Sequence, residues 1–451
     1  MMSDKYNLIV IGAGPGGHAA AEHAAKGGAG VAVIEKSQWG GTCSNRGCIP
    51  TKALLACSKQ YANLKKLKRL GISPGEASFD YAAMKRHQRQ MVTTSSLGVQ
   101  KSLKDAGVDM KSGEGRLIAP REVELLLPEG AVKRLIADTI IIAWGSEPLL
   151  PPHIKPSCRI LTSDGFLALE TLPESVIIVG GSVIGVEFAT FLAELGVKVA
   201  LVELLDRILP LEDKDAAEFL RQELTRLGIT IHTAANVESL RETPDGVHLK
   251  ATHNMQDLEI TADLTLLCTG RKPLLRTDEL DQCGIGYNQK GIIVNENQMT
   301  NREGIYAIGD VTGGIMLAHR AIHQGKSVAG YLTGDHPIRY KEEAVPSVIY
   351  THPGIARVGL TETQAIERGL KVETKRVEYA ANIMARTDLK GNGFVKATFC
   401  EDRLIGVTIA GDDAGELIAS MSLAVANGMG KKELKKWIIP HPTLSEILCL
   451  L

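Results

Sequence analysis

Aromatic side chains are scarce in this sequence. Phe, Trp and Tyr together make up 4% of its 451 residues, so its cores must be filled by Ala, Val, Ile and Leu. Neither sign of charge is in excess: 51 Lys and Arg stand against 52 Asp and Glu, a formal net charge of −1. That balance excludes a broad electrostatic claim on nucleic acid or on an anionic membrane. No apolar run approaches the roughly 18 residues of a membrane-spanning helix. The start, MMSDKYNLIVIGAGPGG, has no basic region and no small-residue cleavage site, so no secretory leader is expected and the setting reads as cytoplasmic. A secreted disulfide framework is also missing. Of eight cysteines (43, 48, 57, 158, 268, 283, 400 and 449) only Cys43 and Cys48 lie close together. In an intracellular chain, one tight pair suggests redox or metal chemistry.

Glycine is abundant, at 46 residues. With 44% hydrophobic and 23% charged residues the chain is globular. At roughly 100–200 residues per domain, its length predicts two to four domains. Composition and glycine content favour an α/β architecture with many tight turns.

Two segments follow one plan. Asn7–Ile11 reads as a strand, Gly12–Gly17 as a turn, the Ala-rich stretch to Ala25 as a helix and Val31–Glu35 as a second strand. Val176–Val179, Gly180–Gly185, Val186–Leu195 and Val197–Glu203 repeat it, and in both copies the first glycine precedes the strand-end glutamate by 23 positions. Two copies of a βαβ unit imply two nucleotide-sized sites. Between them lie helical stretches at Thr51–Lys68 and Phe79–Lys104 and a polar strand region over 108–142. The Pro-rich joint Pro148–Pro156 marks a boundary, with further shifts at Gly270–Pro273 and Gly334–Pro346.

Gly12, Gly14 and Gly17 match G-x-G-x-x-G between a strand and a helix. The first glycine makes the turn, the second lets backbone approach a pyrophosphate, and the third lets helix pack on strand. The helix N-terminus offers N–H donors to phosphate, and Glu35 is placed to accept from ribose hydroxyls. The second copy reads Gly180, Gly181, Ser182, Val183, Ile184, Gly185, with serine in place of the second glycine. Ser182 adds bulk where backbone meets pyrophosphate, while its hydroxyl is a possible donor to phosphate. Glu203 favours the 2′-hydroxyl of NAD over the 2′-phosphate of NADP.

The segment Gly40-Gly41-Thr42-Cys43-Ser44-Asn45-Arg46-Gly47-Cys48-Ile49-Pro50-Thr51-Lys52 holds the cysteine pair. A metal site wants a second close pair or histidines at short spacing, and none is present. In a regular helix, residues five apart have Cα atoms roughly 8–9 Å apart, beyond the limit of about 7 Å for a disulfide. Closing the pair demands a distorted helix start, which Gly47 permits. A strained disulfide at a helix N-terminus is easily reduced.

These residues resemble the flavoprotein disulfide reductases (class I pyridine nucleotide-disulfide oxidoreductases), and within them the dihydrolipoyl dehydrogenase branch, whose motif has the form GGTCxNxGCIPxK. The resemblance spans the chain. It includes Ile141-Ile142-Ala143-Trp144-Gly145-Ser146, Gly270-Arg271-Lys272-Pro273, Ile305-Tyr306-Ala307-Ile308-Gly309-Asp310, Met316-Leu317-Ala318-His319 and His441-Pro442-Thr443-Leu444-Ser445-Glu446.

The resemblance implies an FAD domain in two pieces (1–149 and 273–340), an NAD domain between them (150–272) and a C-terminal α+β dimerisation domain (341–451). It implies that Gly12, Gly14, Gly17, Glu35, Lys36, Thr42, Lys52, Gly115, Gly145, Asp310 and Ala318 hold FAD. The NAD site would comprise Gly180, Gly181, Ser182, Ile184, Gly185, Glu203 and Gly270. By the same resemblance Cys48 faces the flavin, Cys43 exchanges with the substrate disulfide, and Lys52 and Glu187 form a pair beside the flavin ring. His441, oriented by Glu446, would be the acid/base, acting in the partner subunit's site of a homodimer. No resident metal is implied. The implied reaction is oxidation of dihydrolipoamide with NAD+, on the lipoyl domain of a 2-oxoacid dehydrogenase or glycine-cleavage complex. Alternatives are another disulfide substrate or a non-catalytic redox-sensing flavoprotein.

Several positions depart from the family. Ile439 stands where a first histidine is usual, Gly354 where a glutamate follows Thr-x-Pro, and Trp144 where a small residue is usual. Only five residues follow Glu446, fewer than in the usual family tail.

Overall fold

The computed structural model describes residues 4–335 and 340–451. Residues 1–3, where the leader reading starts, and 336–339, inside the third expected shift, lie outside it. The chain divides into two compact units. The first comprises Met1–Ala53, Ala83–Leu149 and Arg271–Tyr340; the second comprises Leu54–Ala82, Leu150–Gly270 and Lys341–Leu451.

The first unit is built on a seven-stranded sheet. Strand β1 (Asp4–Ile11) lies between β2 (Val31–Glu35) and Val132–Ile142, parallel to both. Near-continuous apolar runs such as Val-Ala-Val-Ile suit strands covered on both faces. Side chains alternate across the strand accordingly. Ile9 and Ile11 enter one core with Ile34, Leu117 and Ile140, while Leu8 and Val10 enter the other with Val33, Ala20 and Ala24. Helix α1 (Pro15–Lys26) belongs to the second of these cores. It approaches the helix Ala318–Thr333 so closely that a Cβ on Gly325 would sit 2.4 Å from the Gly16 carbonyl oxygen.

The expected turn Gly12–Gly17 is shorter than the fingerprint. Helix α1 begins at Pro15, capped by Gly14, so the third glycine already belongs to the helix. In the repeat the helix is Val183–Glu194, capped by Ser182. Helical hydrogen bonding begins as soon as the chain has turned, and the third glycine is needed for packing.

The second unit contains a five-stranded parallel sheet ordered Thr230–His232, Lys198–Val202, Ser175–Val179, Leu264–Leu267, Ile160–Thr162. A three-stranded antiparallel meander runs over 235–262. It also contains the five-stranded antiparallel sheet of the C-terminal segment, over which the helix Ala414–Ala426 packs. Among the described residues no helix is long and apolar enough to cross a membrane.

A buried charge cluster joins the nucleotide-type segment to the C-terminal sheet. Lys396 is 7% exposed, and its Nζ lies 2.7 Å from Asp213 Oδ2 and 2.8 Å from Asp215 Oδ2. Asp213 also caps the helix Lys214–Arg226, accepting from the N–H groups of Asp215 and Ala216. Asp213→Ala removes a helix cap and one of the two close carboxylates of the buried Lys396 ammonium, which keeps Asp215. The expected loss of stability is about 1–3 kcal/mol, read from the urea unfolding transition.

Candidate functional site

The first fingerprint turn is set by backbone contact. A Cβ on Gly12 would lie 2.3 Å from the Ala143 carbonyl oxygen, and one on Gly17 only 1.9 Å from the Gly12 carbonyl oxygen. At Gly14, by contrast, a Cβ would meet no atom within 4 Å. That open backbone sits at the first turn of α1, whose N–H groups have no intrahelical acceptors. The Glu35 carboxylate accepts from Ala13 N–H and Ser37 N–H, both at 2.9 Å. A carboxylate has about four acceptor sites, so two remain for hydroxyl donors. The cradle fits the pyrophosphate and ribose of a dinucleotide.

The second copy reproduces this geometry. Gly180 and Gly185 meet Cys268 and Gly180 carbonyl oxygens as Gly12 and Gly17 meet theirs. Glu203 accepts from Gly181 N–H at 2.5 Å and from Leu205 N–H at 2.8 Å. Ser182 stands where the first copy has Gly14. Its hydroxyl points to the Cys268 carbonyl oxygen, at 3.4 Å, where it satisfies a strand-end acceptor. Ile184 follows within the helix Val183–Glu194, and Gly270 has φ +109° with no atom within 4 Å of its Cβ position.

The remaining expected dinucleotide residues of the first unit lie at strand ends and helix starts. Lys36 directly follows β2 and Thr42 is in α2 (Gly41–Arg46). Gly115 packs against Ile11 and Ile34, where a Cβ would sit 3.1 Å from both side chains. Gly145 follows Trp144, and Ala318 opens the helix Ala318–Thr333. Asp310 Oδ2 accepts from the Ser146 hydroxyl at 2.6 Å, while Arg271 Nε donates to that hydroxyl at 2.8 Å. Ser146 and Arg271 were legible only as parts of motifs; their pairing with Asp310 is tertiary. Trp144 packs on the first unit's core under the Arg276 guanidinium, 5.1 Å from the ring centroid.

The cysteine segment begins on the fingerprint turn. Gly40 N–H donates to the Ala13 carbonyl oxygen at 3.1 Å, and a Cβ on Gly41 would sit 2.8 Å from Gly14 Cα. Gly41 was missed in the sequence reading, although its place in the cysteine motif is a signal. Helix α2 ends at Arg46 and α3 (Cys48–Leu64) starts after Gly47. The helix is thus interrupted between the cysteines, as their spacing demands. Both cysteines are half-buried. The Cys43 thiol is pushed far up, first by its hydrogen bond with the Cys48 side chain, then by burial and the charge of Cys48; Lys52 acts against this. Cys43 therefore holds its proton strongly.

Cys43, Cys48 and Lys52 belong to the first unit; Glu187, His441 and Glu446 belong to the second. Glu187 is buried on the second fingerprint helix, and its Oε1 accepts from Tyr350 N–H at 3.0 Å. His441 is exposed, with Nδ1 2.8 Å from Glu446 Oε1. Glu446 Oε2 accepts from Thr443 N–H at 2.9 Å. Its carboxyl is held below the usual range by the Thr443 amide first and by His441 second. An ionised carboxylate only accepts, so Nδ1 carries the proton and Nε2 is the free acceptor when the ring is neutral. Ile439, in the place of a family histidine, packs on the core of the C-terminal sheet. Gly354 opens a strand opposite Gly411.

Residues 6–325 match the family described as pyridine nucleotide-disulphide oxidoreductase, and residues 345–449 match its dimerisation domain. The chain is 36% identical over 450 residues to a dihydrolipoyl dehydrogenase of Chlorobaculum tepidum, covering 99% of this chain and 96% of the relative. A Bacillus subtilis dihydrolipoyl dehydrogenase is 37% identical over 447 residues, covering 98% and 94%. Among solved structures, LpdA from Mycobacterium tuberculosis superposes with a TM-score of 0.91 at 27% identity, covering 99% and 98%. The Cu(II) complex of the HOCl-induced flavoprotein disulfide reductase RclA from Escherichia coli gives 0.86 at 28% identity, with the same coverage.

The Glu446 contact sets the tautomer of His441, and its lowered carboxyl keeps it an acceptor at neutral pH. A lowered carboxyl value means the interaction is in place above the ordinary value of about 4.3 and fades as pH falls through the lower folded one. In ring 15N spectra of its neutral imidazole, His441 should be almost wholly the Nδ1–H form. Glu446→Gln should give a mixture of both tautomers.

Proposed function

Since the chain belongs to the pyridine nucleotide-disulphide oxidoreductase family, we propose that it oxidises protein-bound dihydrolipoamide to lipoamide with NAD+. The observation that carries this is the Cys43–Cys48 thiol pair on an interrupted helix seated against a dinucleotide turn. Members of the family use FAD and NAD(H). When bound, FAD supplies two-electron exchange with the thiol pair and NAD+ supplies the hydride acceptor. FAD would be held by Gly12, Gly14, Gly17, Glu35, Lys36, Thr42, Lys52, Gly115, Gly145, Asp310 and Ala318. NAD would be held by Gly180, Gly181, Ser182, Ile184, Gly185, Glu203 and Gly270.

With the pair oxidised to a disulfide, His441 Nε2 takes the proton of one substrate thiol. The resulting thiolate attacks Cys43 Sγ and displaces Cys48 as a thiolate. The second substrate thiol passes its proton to the departing Cys43 sulfur as it attacks the substrate sulfur joined to Cys43. Lipoamide leaves as the cyclic disulfide, and the enzyme keeps the electron pair as the Cys43 thiol and the Cys48 thiolate, with the other proton on His441. The strong proton affinity of Cys43 suits it to be the thiol of that pair, leaving Cys48 as the thiolate beside the flavin. Lys52 would provide positive charge near that thiolate, and Glu187 is the residue that the resemblance pairs with Lys52. The match to the family's dimerisation domain supports a homodimer, in which His441 of one subunit would serve the cysteine pair of the other. The lipoyl domain of a 2-oxoacid dehydrogenase or glycine-cleavage complex would be the cytoplasmic partner.

Three tests follow from these roles. Cys43→Ser and Cys48→Ser should each abolish lipoamide turnover with FAD retained, and on reduction only Cys43→Ser should keep a long-wavelength thiolate–flavin absorbance. Normal turnover in either variant refutes the dithiol relay. His441→Ala should lower dihydrolipoamide oxidation by about 10²–10⁴-fold, while NADH still reduces the bound flavin in stopped-flow. Placing a 2′-phosphate beside Glu203 costs about 1–3 kcal/mol. The measured kcat/KM should therefore favour NADH over NADPH by about tenfold to a hundredfold.

A further inference from the structure

The second fingerprint helix, Val183–Glu194, carries a second buried carboxylate besides Glu187. Glu194 follows Glu187 by seven positions, two helical turns, so both face the same side. Glu194 is 4% exposed, and Ser58, from α3, is fully buried. The Ser58 hydroxyl donates to Glu194 Oε2 at 2.5 Å. On the other oxygen, His352 Nδ1 lies 2.8 Å from Glu194 Oε1.

The two carboxylates therefore grip one short segment. Residues 350–354 read Tyr-Thr-His-Pro-Gly and carry no carboxylate of their own. Glu187 accepts from the Tyr350 N–H, and Glu194 holds His352 two residues on. A carboxylate so deeply buried is tolerated only when its oxygens are satisfied, and these three groups satisfy each other. The order Ser–Glu–His puts the carboxylate between serine and histidine. Ser58 thus has no histidine beside it, and its hydroxyl serves as a hydrogen-bond donor to Glu194.

We infer that Glu194 is a positioning residue, which through Ser58 and His352 holds α3 and the Tyr350–His352 segment in register on the helix that carries Glu187. The Tyr350 N–H fixes one oxygen of Glu187, and it can do so only where His352 keeps that segment in place. Ser58 makes α3, the helix that begins at Cys48, the third body in the same cluster. The inference rests on the reading of Glu187 and Cys48 given above for its catalytic consequence, and on the packing alone for its structural one.

The test uses the FAD-loaded full-length enzyme and amide hydrogen exchange read residue by residue. Glu194→Ala should speed exchange of the Tyr350 amide and of α3 amides around Ser58 together, by about tenfold, the scale of losing one buried charged hydrogen bond. Lipoamide turnover should fall by about tenfold to a hundredfold, the cost of a small misplacement near the reacting groups. Glu194→Gln, which keeps the shape, and His352→Asn, whose amide can donate where Nδ1 does, should both restore exchange and turnover to within about threefold of the parent. They also keep the test valid should Glu194→Ala fail to fold. Unchanged Tyr350 exchange in a folded Glu194→Ala enzyme, or no recovery in either conservative variant, overturns the inference. If the parent enzyme does not turn over lipoamide, the proposed substrate is wrong, and the exchange data still decide the role of Glu194.

Discussion

The approach of the Gly40–Gly41 backbone to the Ala13–Gly14 turn is the contact on which the candidate redox site depends. It brings the start of the cysteine helix against the turn that would seat a pyrophosphate, with no side chain between them. The distance is set by two glycines facing each other; any Cβ on Gly41 would overlap Gly14. From that fixed point α2 carries Cys43 within its first turn, and the break at Gly47 folds Cys48 back towards it. The thiols and the nucleotide turn thus share one rigid reference, which is what electron transfer between fixed partners needs.

The strand-end glutamates play a part in both copies that goes beyond ribose recognition. Each accepts a backbone N–H from its own fingerprint turn and another from the residue two positions on. They lock the turn to the adjacent strand, so the residue expected to meet the ribose also shapes the bed it would lie in. A substitution at Glu35 or Glu203 disturbs binding and loop together, and its effect cannot be ascribed to a lost ribose contact alone.

Much of this was legible in the residues. The buried runs Leu8–Ile11 and Val31–Glu35 read as parallel strands because they flank a glycine turn and a helix in a repeated βαβ plan, and an unbroken apolar run suits a strand covered on both faces. The fingerprints and the interrupted cysteine helix follow from spacing, and the pairing of His441 with Glu446 from their five-residue separation and the resemblance. What stayed hidden depends on residues far apart in the chain. Ser146 with Asp310, Gly41 with Gly14, and Ser58 with Glu194 and His352 leave no periodic trace, because tertiary packing alone brings them together. The helix starts at Pro15 and Val183 fell earlier than the glycine pattern implies, since the third glycine serves packing within the helix. The orientation of the Ser182 hydroxyl was hidden for the same reason: its acceptor, the Cys268 carbonyl, lies 86 residues away.

The short ribbon formed by Ser146–Pro148 and Arg271–Pro273 has an evolutionary consequence. Pro148 and Arg271 are direct cross-strand partners, so their Cα atoms are only about 5 Å apart. The first unit therefore loses and regains the chain at nearly the same point in space. A tight loop joining these strands would leave its sheet and its fingerprint intact, whatever segment had stood between them. Such a seam allows one inserted module to be exchanged for another by recombination, without redesign of the seven-stranded sheet and the helices of the unit that carries the thiols.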